Sequence, residues 1–262
     1  MFTVCFTTNA FNPVIIMLRI ACATNTDVFP VLTTPVILMP LTTVRCTSEI
    51  SPPTSASMYS YLLQHPEICE ETALAAVQAA ISVDAQCVRC ITCGEEQVYA
   101  FECPGYLGIG GKVWDATFRL IDYFTRHSDI LRNRSVLELG SGTGLAAIAL
   151  HSCKPAAMML TDIAEVVPLL QANIRLSGVM IDRAIGSVYS ACALEWGNEL
   201  AGLHAMAREL PEIIIASDVV YDPEGYLPLL HTLEELLARR TVGGRYPVFY
   251  MAHRHRNPED YR

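Results

Sequence analysis

The run Val136-Leu137-Glu138-Leu139-Gly140-Ser141-Gly142-Thr143-Gly144-Leu145 reads as a buried strand that turns on glycine and opens a helix. Its chemistry is ligand binding. Without Cβ atoms such a turn lets the backbone approach a ligand closely, and N–H groups at the helix start attract a carboxylate or phosphate. Asp162 stands twenty residues past Gly142, at the end of the next apolar run, where an acid accepts both hydroxyls of a ribose. Together these residues point to a nucleoside cofactor. The third glycine comes one place earlier than in the dinucleotide fingerprint, as G-x-G-x-G, which argues against a pyrophosphate. Glu138, two residues before the first glycine, adds a negative group inside the turn and suits the ammonium of a methionine moiety.

Positioning these residues takes a sheet, and the flanking pattern predicts one. Strands are expected at Ser135–Leu139, Ala157–Thr161, Ile185–Cys192, Ile213–Ser217 and Pro247–Ala252. Helices are expected at Leu145–His151, at Glu165–Leu176 with Gly178 as its cap, and at Tyr226–Arg239 with Leu227, Leu230, Leu233 and Leu237 inward. Alternating strands and helices with short loops make a parallel sheet covered on both faces. Before the glycine turn, Trp114, Phe118, Ile121 and Phe124 recur at helical spacing with Asp115, Arg119 and Asp122 turned away. Further upstream come a helix at Glu70–Ile81, a hairpin and a glycine-rich turn at Gly105–Gly111.

Residues 1–57 carry four charged side chains and are rich in Thr and Pro. Without helical or alternating periodicity they read as a poorly ordered, dispensable leader. The division is thus a leader at 1–57, a helix and β-hairpin at 58–111, and the α/β domain at 112–262.

Composition removes several functions. With 27 acidic against 18 basic side chains the net charge is −9, which repels nucleic acid and anionic membrane. Mean hydropathy is +0.31, yet the uncharged stretch 28–44 is short and interrupted by Pro30, Pro35 and Pro40, so no membrane span is expected. Arg19 and the lack of a basic start argue against a signal peptide, and ten scattered cysteines fit reduced thiols in the cytoplasm. Cys87, Cys90, Cys93 and Cys103 have a spacing able to hold zinc or iron–sulfur through thiolates. Their β-rich surroundings instead read as a hairpin whose cysteines are small apolar strand residues, and no metal is assigned. His253-Arg254-His255-Arg256 ends the last strand and reads as a solvated strand end, or as a contact for an acidic substrate.

Five pieces in order then carry a resemblance: Gly111-Lys112-Val113-Trp114-Asp115-Ala116, the LELGSGTG turn, Leu160-Thr161-Asp162, Leu194-Glu195-Trp196-Gly197 and Ser217-Asp218-Val219-Val220-Tyr221. The sequence resembles the seven-strand class I S-adenosylmethionine methyltransferases, and within them the family-16 protein-lysine methyltransferases. The resemblance implies a Rossmann-like sheet that lacks its last two strands, because the chain ends at Arg262. It thereby implies an exposed fifth-strand edge. It sets Gly140, Ser141 and Gly142 against the methionine part of S-adenosylmethionine, Asp162 on the ribose, Trp114 and Trp196 as walls, and Ser217 at the adenosine.

Asp218 and Tyr221 close the fourth strand at the carboxyl edge, where open α/β sheets bind ligands. The resemblance implies methyl transfer to a lysine of a non-histone protein. That amine has a reference pKa of ~10.4 and must lose a proton before it attacks. Asp218 and Tyr221 are the groups expected to hold and aim it, although Asp218 is also placed to cap the turn at 222–225. Two other functions remain open on sequence alone: a non-catalytic binding protein that retains the fold, and a nicotinamide-dependent oxidoreductase.

Overall fold

The computed structural model describes residues 3–5, 14–19, 33–38, 88–93, 96–177, 181–182, 187–198, 211–241 and 243–254. Eleven strands and five α-helices are described. In chain order they are β1 (Thr3–Cys5), β2 (Val14–Arg19), β3 (Thr33–Leu38), β4 (Val88–Cys93), β5 (Glu96–Phe101), α1 (Pro104–Leu107), α2 (Asp115–Arg126), β6 (Ser135–Leu139), α3 (Leu145–Ala149), β7 (Ala157–Asp162), α4 (Val167–Ser177), β8 (Ile181–Asp182), β9 (Ser187–Ala193), β10 (Ile213–Ser217), α5 (Pro223–Leu237) and β11 (Val248–Ala252).

Five of the strands form the expected parallel core in the order β9-β7-β6-β10-β11. β10 reads IIIAS because it lies at the centre, where both faces are covered. Its side chains divide between two apolar clusters. Ile213 and Ile215 pack with Leu120, Phe124, Ile148 and Leu170, from α2, α3 and α4, while Ile214 and Ala216 pack with Leu229, Leu233 and Leu236 of α5. That division is the period-2 alternation of a strand sandwiched between helix layers. Each large aliphatic side chain fully buried there contributes ~1.5–3 kcal/mol.

The α5 stripe differs in phase from the sequence expectation. Leu227 is 56% exposed, and the inward positions are Leu229, Thr232, Leu233, Leu236 and Leu237. The helix begins at Pro223 rather than Tyr226, with Asp222 accepting the Glu224 N–H at 3.1 Å as its cap. The facing groove, not the leucine count, selects the stripe. In α2 the deeply buried residues are Ala116, Thr117, Leu120, Ile121 and Phe124, while Trp114 precedes the helix at its N-cap.

The cysteine hairpin forms as β4 and β5, antiparallel with Cys90 opposite Tyr99. Cys103 is buried and Cys93 half-buried, both as thiols. No cluster of three or more His, Cys, Asp or Glu suited to a metal occurs among the described residues. Cys87, the side chain of Cys90 and the helix expected at Glu70–Ile81 lie outside the described residues. Among the described residues no helix is long and apolar enough to cross a membrane.

The edge expectation is corrected. β11 is not bare, because β3 pairs with it in parallel, Phe249 opposite Val36, and β2 and β1 continue the sheet antiparallel. The reading of 1–57 as lacking regular structure fails for these three segments. An open edge is a row of unmet N–H and C=O groups, and extended apolar segments of the same chain satisfy them without any sequence periodicity being required.

Candidate active site

The carboxyl ends of β6, β7 and β10 open into a cleft of about 460 Å³. All ten residues singled out from sequence line it: Trp114, Glu138, Gly140, Ser141, Gly142, Asp162, Trp196, Ser217, Asp218 and Tyr221. They come from five separate stretches of chain, and the parallel sheet brings them together.

Gly140 has φ +61° and Gly142 φ +54°, a left-handed backbone that favours glycine. A Cβ on Gly140 would lie 2.9 Å from Val219 Cγ1 and 3.2 Å from Trp196 Cζ2. The glycine therefore lets the indole wall stand directly on the turn. The turn is also tied to β7. Ser141 N–H donates to Thr161 O at 2.9 Å, Thr161 N–H donates to Ser141 Oγ at 3.1 Å, and Gly142 N–H donates to Asp162 Oδ2 at 2.8 Å.

Glu138 is 1% exposed, and its Oε2 has no hydrogen-bond partner. Burial pushes its carboxyl up to about 8; hydrogen bonding to Ser141 opposes the rise and the charge of Asp162 adds to it. An orphaned carboxyl oxygen on a cleft wall is matched to a cationic ligand group. Burial likewise raises Asp162, with the N–H groups of Gly142 and Ile163 pulling the other way.

Trp114 fixes its indole by donating Nε1–H to Ile109 O at 3.1 Å. Across the cleft Trp196 is half-buried beside Gly140 and Gly225. Ser217 Oγ lies 3.2 Å from Thr117 Oγ1, which links β10 to α2.

Asp218 is 4% exposed and holds φ +59°, a conformation uncommon for a residue with a side chain. Its N–H donates to Ala252 O at 2.8 Å, and its Oδ1 accepts the Arg254 N–H at 3.3 Å and lies 3.2 Å from His253 Nδ1. The last strand thus clamps this carboxylate at the cleft. Asp222, not Asp218, caps the following helix. Tyr221 is 49% exposed at the cleft mouth, and its phenol is raised by burial and by Asp162 and Asp222, so it stays protonated at neutral pH. His253 turns to Asp218 and Arg254 pairs with Asp115, whereas His255 and Arg256 lie outside the described residues.

Three residues that position the site were missed from sequence. Asn173 is fully buried; it accepts the Phe101 N–H at 2.8 Å and donates to Phe101 O at 3.1 Å and Thr143 O at 2.8 Å. It joins the hairpin, α4 and the glycine turn. A polar residue between Leu170 and Ile174 on an apolar helix face was its signal. Glu102, also buried, accepts the Val113 N–H at 2.8 Å and pairs with Arg89, which holds the segment entering Trp114. Lys112 lines the cleft with its Nζ 5.0 Å from the Trp114 ring centroid.

Comparison with known proteins agrees with this geometry. Human protein-lysine N-methyltransferase EEF2KMT is 33% identical over 157 residues, covering 57% of this chain and 47% of that protein. Mouse EEF1A lysine methyltransferase 3 is 30% identical over 144 residues, covering 55% and 58%. Protein-lysine N-methyltransferase EFM6 of Saccharomyces cerevisiae is 32% identical over 180 residues, covering 61% and 69%. The chain spans about half the length of the human relative it matches. The family described as lysine methyltransferase matches residues 95–262, from the second strand of the hairpin through every cleft residue to the end, and the chain belongs to that family.

Proposed function

We propose that the chain is an S-adenosylmethionine-dependent methyltransferase acting on a lysine side chain of a folded, non-histone protein in the cytoplasm. The observation that carries this reading is the convergence of all ten motif residues on one cleft around the partnerless Glu138 oxygen. When bound, the cofactor supplies a sulfonium methyl that a neutral amine takes by in-line displacement.

The residues present fit that group. Glu138 would meet the ammonium of its methionine part, and Gly140 to Gly142 admit its backbone-close passage. Asp162 retains acceptor lone pairs for the ribose beyond the two N–H groups it already accepts. Trp114 and Trp196 would wall it on two sides. The acceptor lysine arrives as an ammonium, with a reference pKa of ~10.4. Asp218, buried and clamped, offsets that charge and aims the nitrogen, and the Tyr221 phenol oxygen accepts a second N–H. Positioning supplies most of the catalysis in such a displacement.

The relative from mouse is named for EEF1A, which makes that protein the first acceptor to try. Calorimetric titration with S-adenosylmethionine and with NAD tests the cofactor reading. Binding of the first and not the second is expected, and the reverse would sink it.

A further inference from the structure

We propose that Lys112 is the cation that pairs with the carboxylate of the bound cofactor's amino-acid end. The inference rests on the S-adenosylmethionine reading above and adds a binding residue to it. That end of the cofactor carries one ammonium and one carboxylate. Glu138, Asp162, Glu195, Asp218, Asp222 and Glu224 line the cleft, and among its described lining residues Lys112 is the one basic side chain. Glu138 holds its proton at neutral pH, and a carboxylate entering among the other five acids is opposed by their field unless a cation meets it.

Lys112 is placed to be that cation. Its backbone is extended, with φ −127° and ψ 145°, so Lys112 and Trp114 project to the same side while Val113 between them is buried in the core. Both of these side chains line the cleft, and Val113 reaches it too. The Lys112 carbonyl oxygen lies 3.9 Å from the position a Cβ on Gly142 would take, which sets the residue against the glycine turn. The Glu102 carboxylate fixes this register by accepting the next N–H, that of Val113, at 2.8 Å. The ammonium rests over the Trp114 face at 5.0 Å. An exposed cation–π contact is weak, and a charge-assisted bond to a carboxylate is stronger, so a bound cofactor draws the ammonium off the indole or shares it.

The chain has only two lysines, Lys112 and Lys154, and Lys154 is not among the cleft residues. This makes the test clean. Calorimetry on the whole protein compares S-adenosylmethionine with decarboxylated S-adenosylmethionine for wild type, Lys112→Arg and Lys112→Met, the last retaining an aliphatic stem on Trp114. Lys112→Met should weaken S-adenosylmethionine at least about tenfold and leave the decarboxylated compound within about twofold, and Lys112→Arg should stay within about threefold for both. Saturating S-adenosylhomocysteine, which keeps the carboxylate, should also protect Lys112 from an amine-acetylating reagent while Lys154 reacts as before. Equal weakening of both compounds, or no weakening, would overturn the proposal. A wild-type protein that binds neither compound would overturn the cofactor reading itself and this inference with it.

Discussion

The carboxylate of Asp162 accepts the backbone N–H of Gly142 at 2.8 Å, so the end of β7 holds the glycine turn at the end of β6. Asp162 is therefore both a wall of the cleft and a brace for the loop beside it. Asp162→Ala should weaken S-adenosylmethionine at least roughly ten- to a hundredfold for each ribose hydroxyl bond lost, since a charge-assisted bond is worth ~1.5–3 kcal/mol. Asp162→Asn keeps an acceptor for Gly142 and should lose less. A folded Asp162→Ala protein with unchanged affinity by calorimetry would remove Asp162 from the cofactor site.

Asp218 holds φ +59°, and asparagine tolerates that backbone at least as well as aspartate. Asp218→Asn should consequently fold with an unaltered melting temperature. If the carboxylate orients the acceptor amine, methyl transfer falls at least about a hundredfold while cofactor affinity stays within about twofold. A parallel loss of both would move Asp218 into the cofactor's own shell.

Glu138, raised from 4.5 to about 8 by burial, holds its proton in the folded protein at neutral pH and loses it on unfolding. Between those two values the native state binds more protons than the unfolded state, so stability falls as pH rises. It is full below about 4.5 and declines by up to ~1.4 kcal/mol per pH unit until about 8. Urea denaturation at intervals from pH 5 to 8.5 should show this slope in wild type and a flatter one in Glu138→Gln. Equal slopes would show that Glu138 does not titrate across this window.

A Cβ at position 140 meets Val219 and Trp196 at 2.9 and 3.2 Å, on a backbone with φ +61°. Gly140→Ala should destabilise the fold by ~1–3 kcal/mol and weaken the cofactor by displacing Trp196. Chemical denaturation with parallel calorimetry checks both effects, and an unaffected variant would show that the turn relaxes freely.

Because β3 pairs with β11 along Phe249 to Met251, deleting residues 1–57 should expose that edge. A fall in melting temperature of at least about 5 °C and concentration-dependent association in light scattering are expected. A shortened chain that melts as the whole one does, as a monomer, would restore the view of these residues as dispensable.

Much of the site could be read from sequence because it is written locally. The turn at Gly140 to Gly144 and the acids ending β7 and β10 each sit at a strand end whose apolar run is contiguous, Trp196 follows β9 closely, and Trp114 stands at the start of α2. The alternation of strand and helix then leaves few ways to join those ends. Residue types with special backbones or charges declare themselves even without neighbours, as Gly140 and Asp162 do.

What tertiary structure alone decided is relational. Whether β11 is an edge depends on hydrogen bonds between residues more than 200 positions apart, and strand pairing leaves no local periodicity when the partner is a short apolar segment rich in Thr and Pro. The phase of α5 was settled by the groove it fills, which turned Leu227 outward and Leu229 inward. Glu138 became a proton-holding group because packing removed water from one of its oxygens, and Lys112 acquired a role because an extended backbone set it beside Trp114 in a cleft whose other charged lining residues are acids. Sequence specifies which groups are available; burial and the field of neighbours from distant strands determine their charge and their partners.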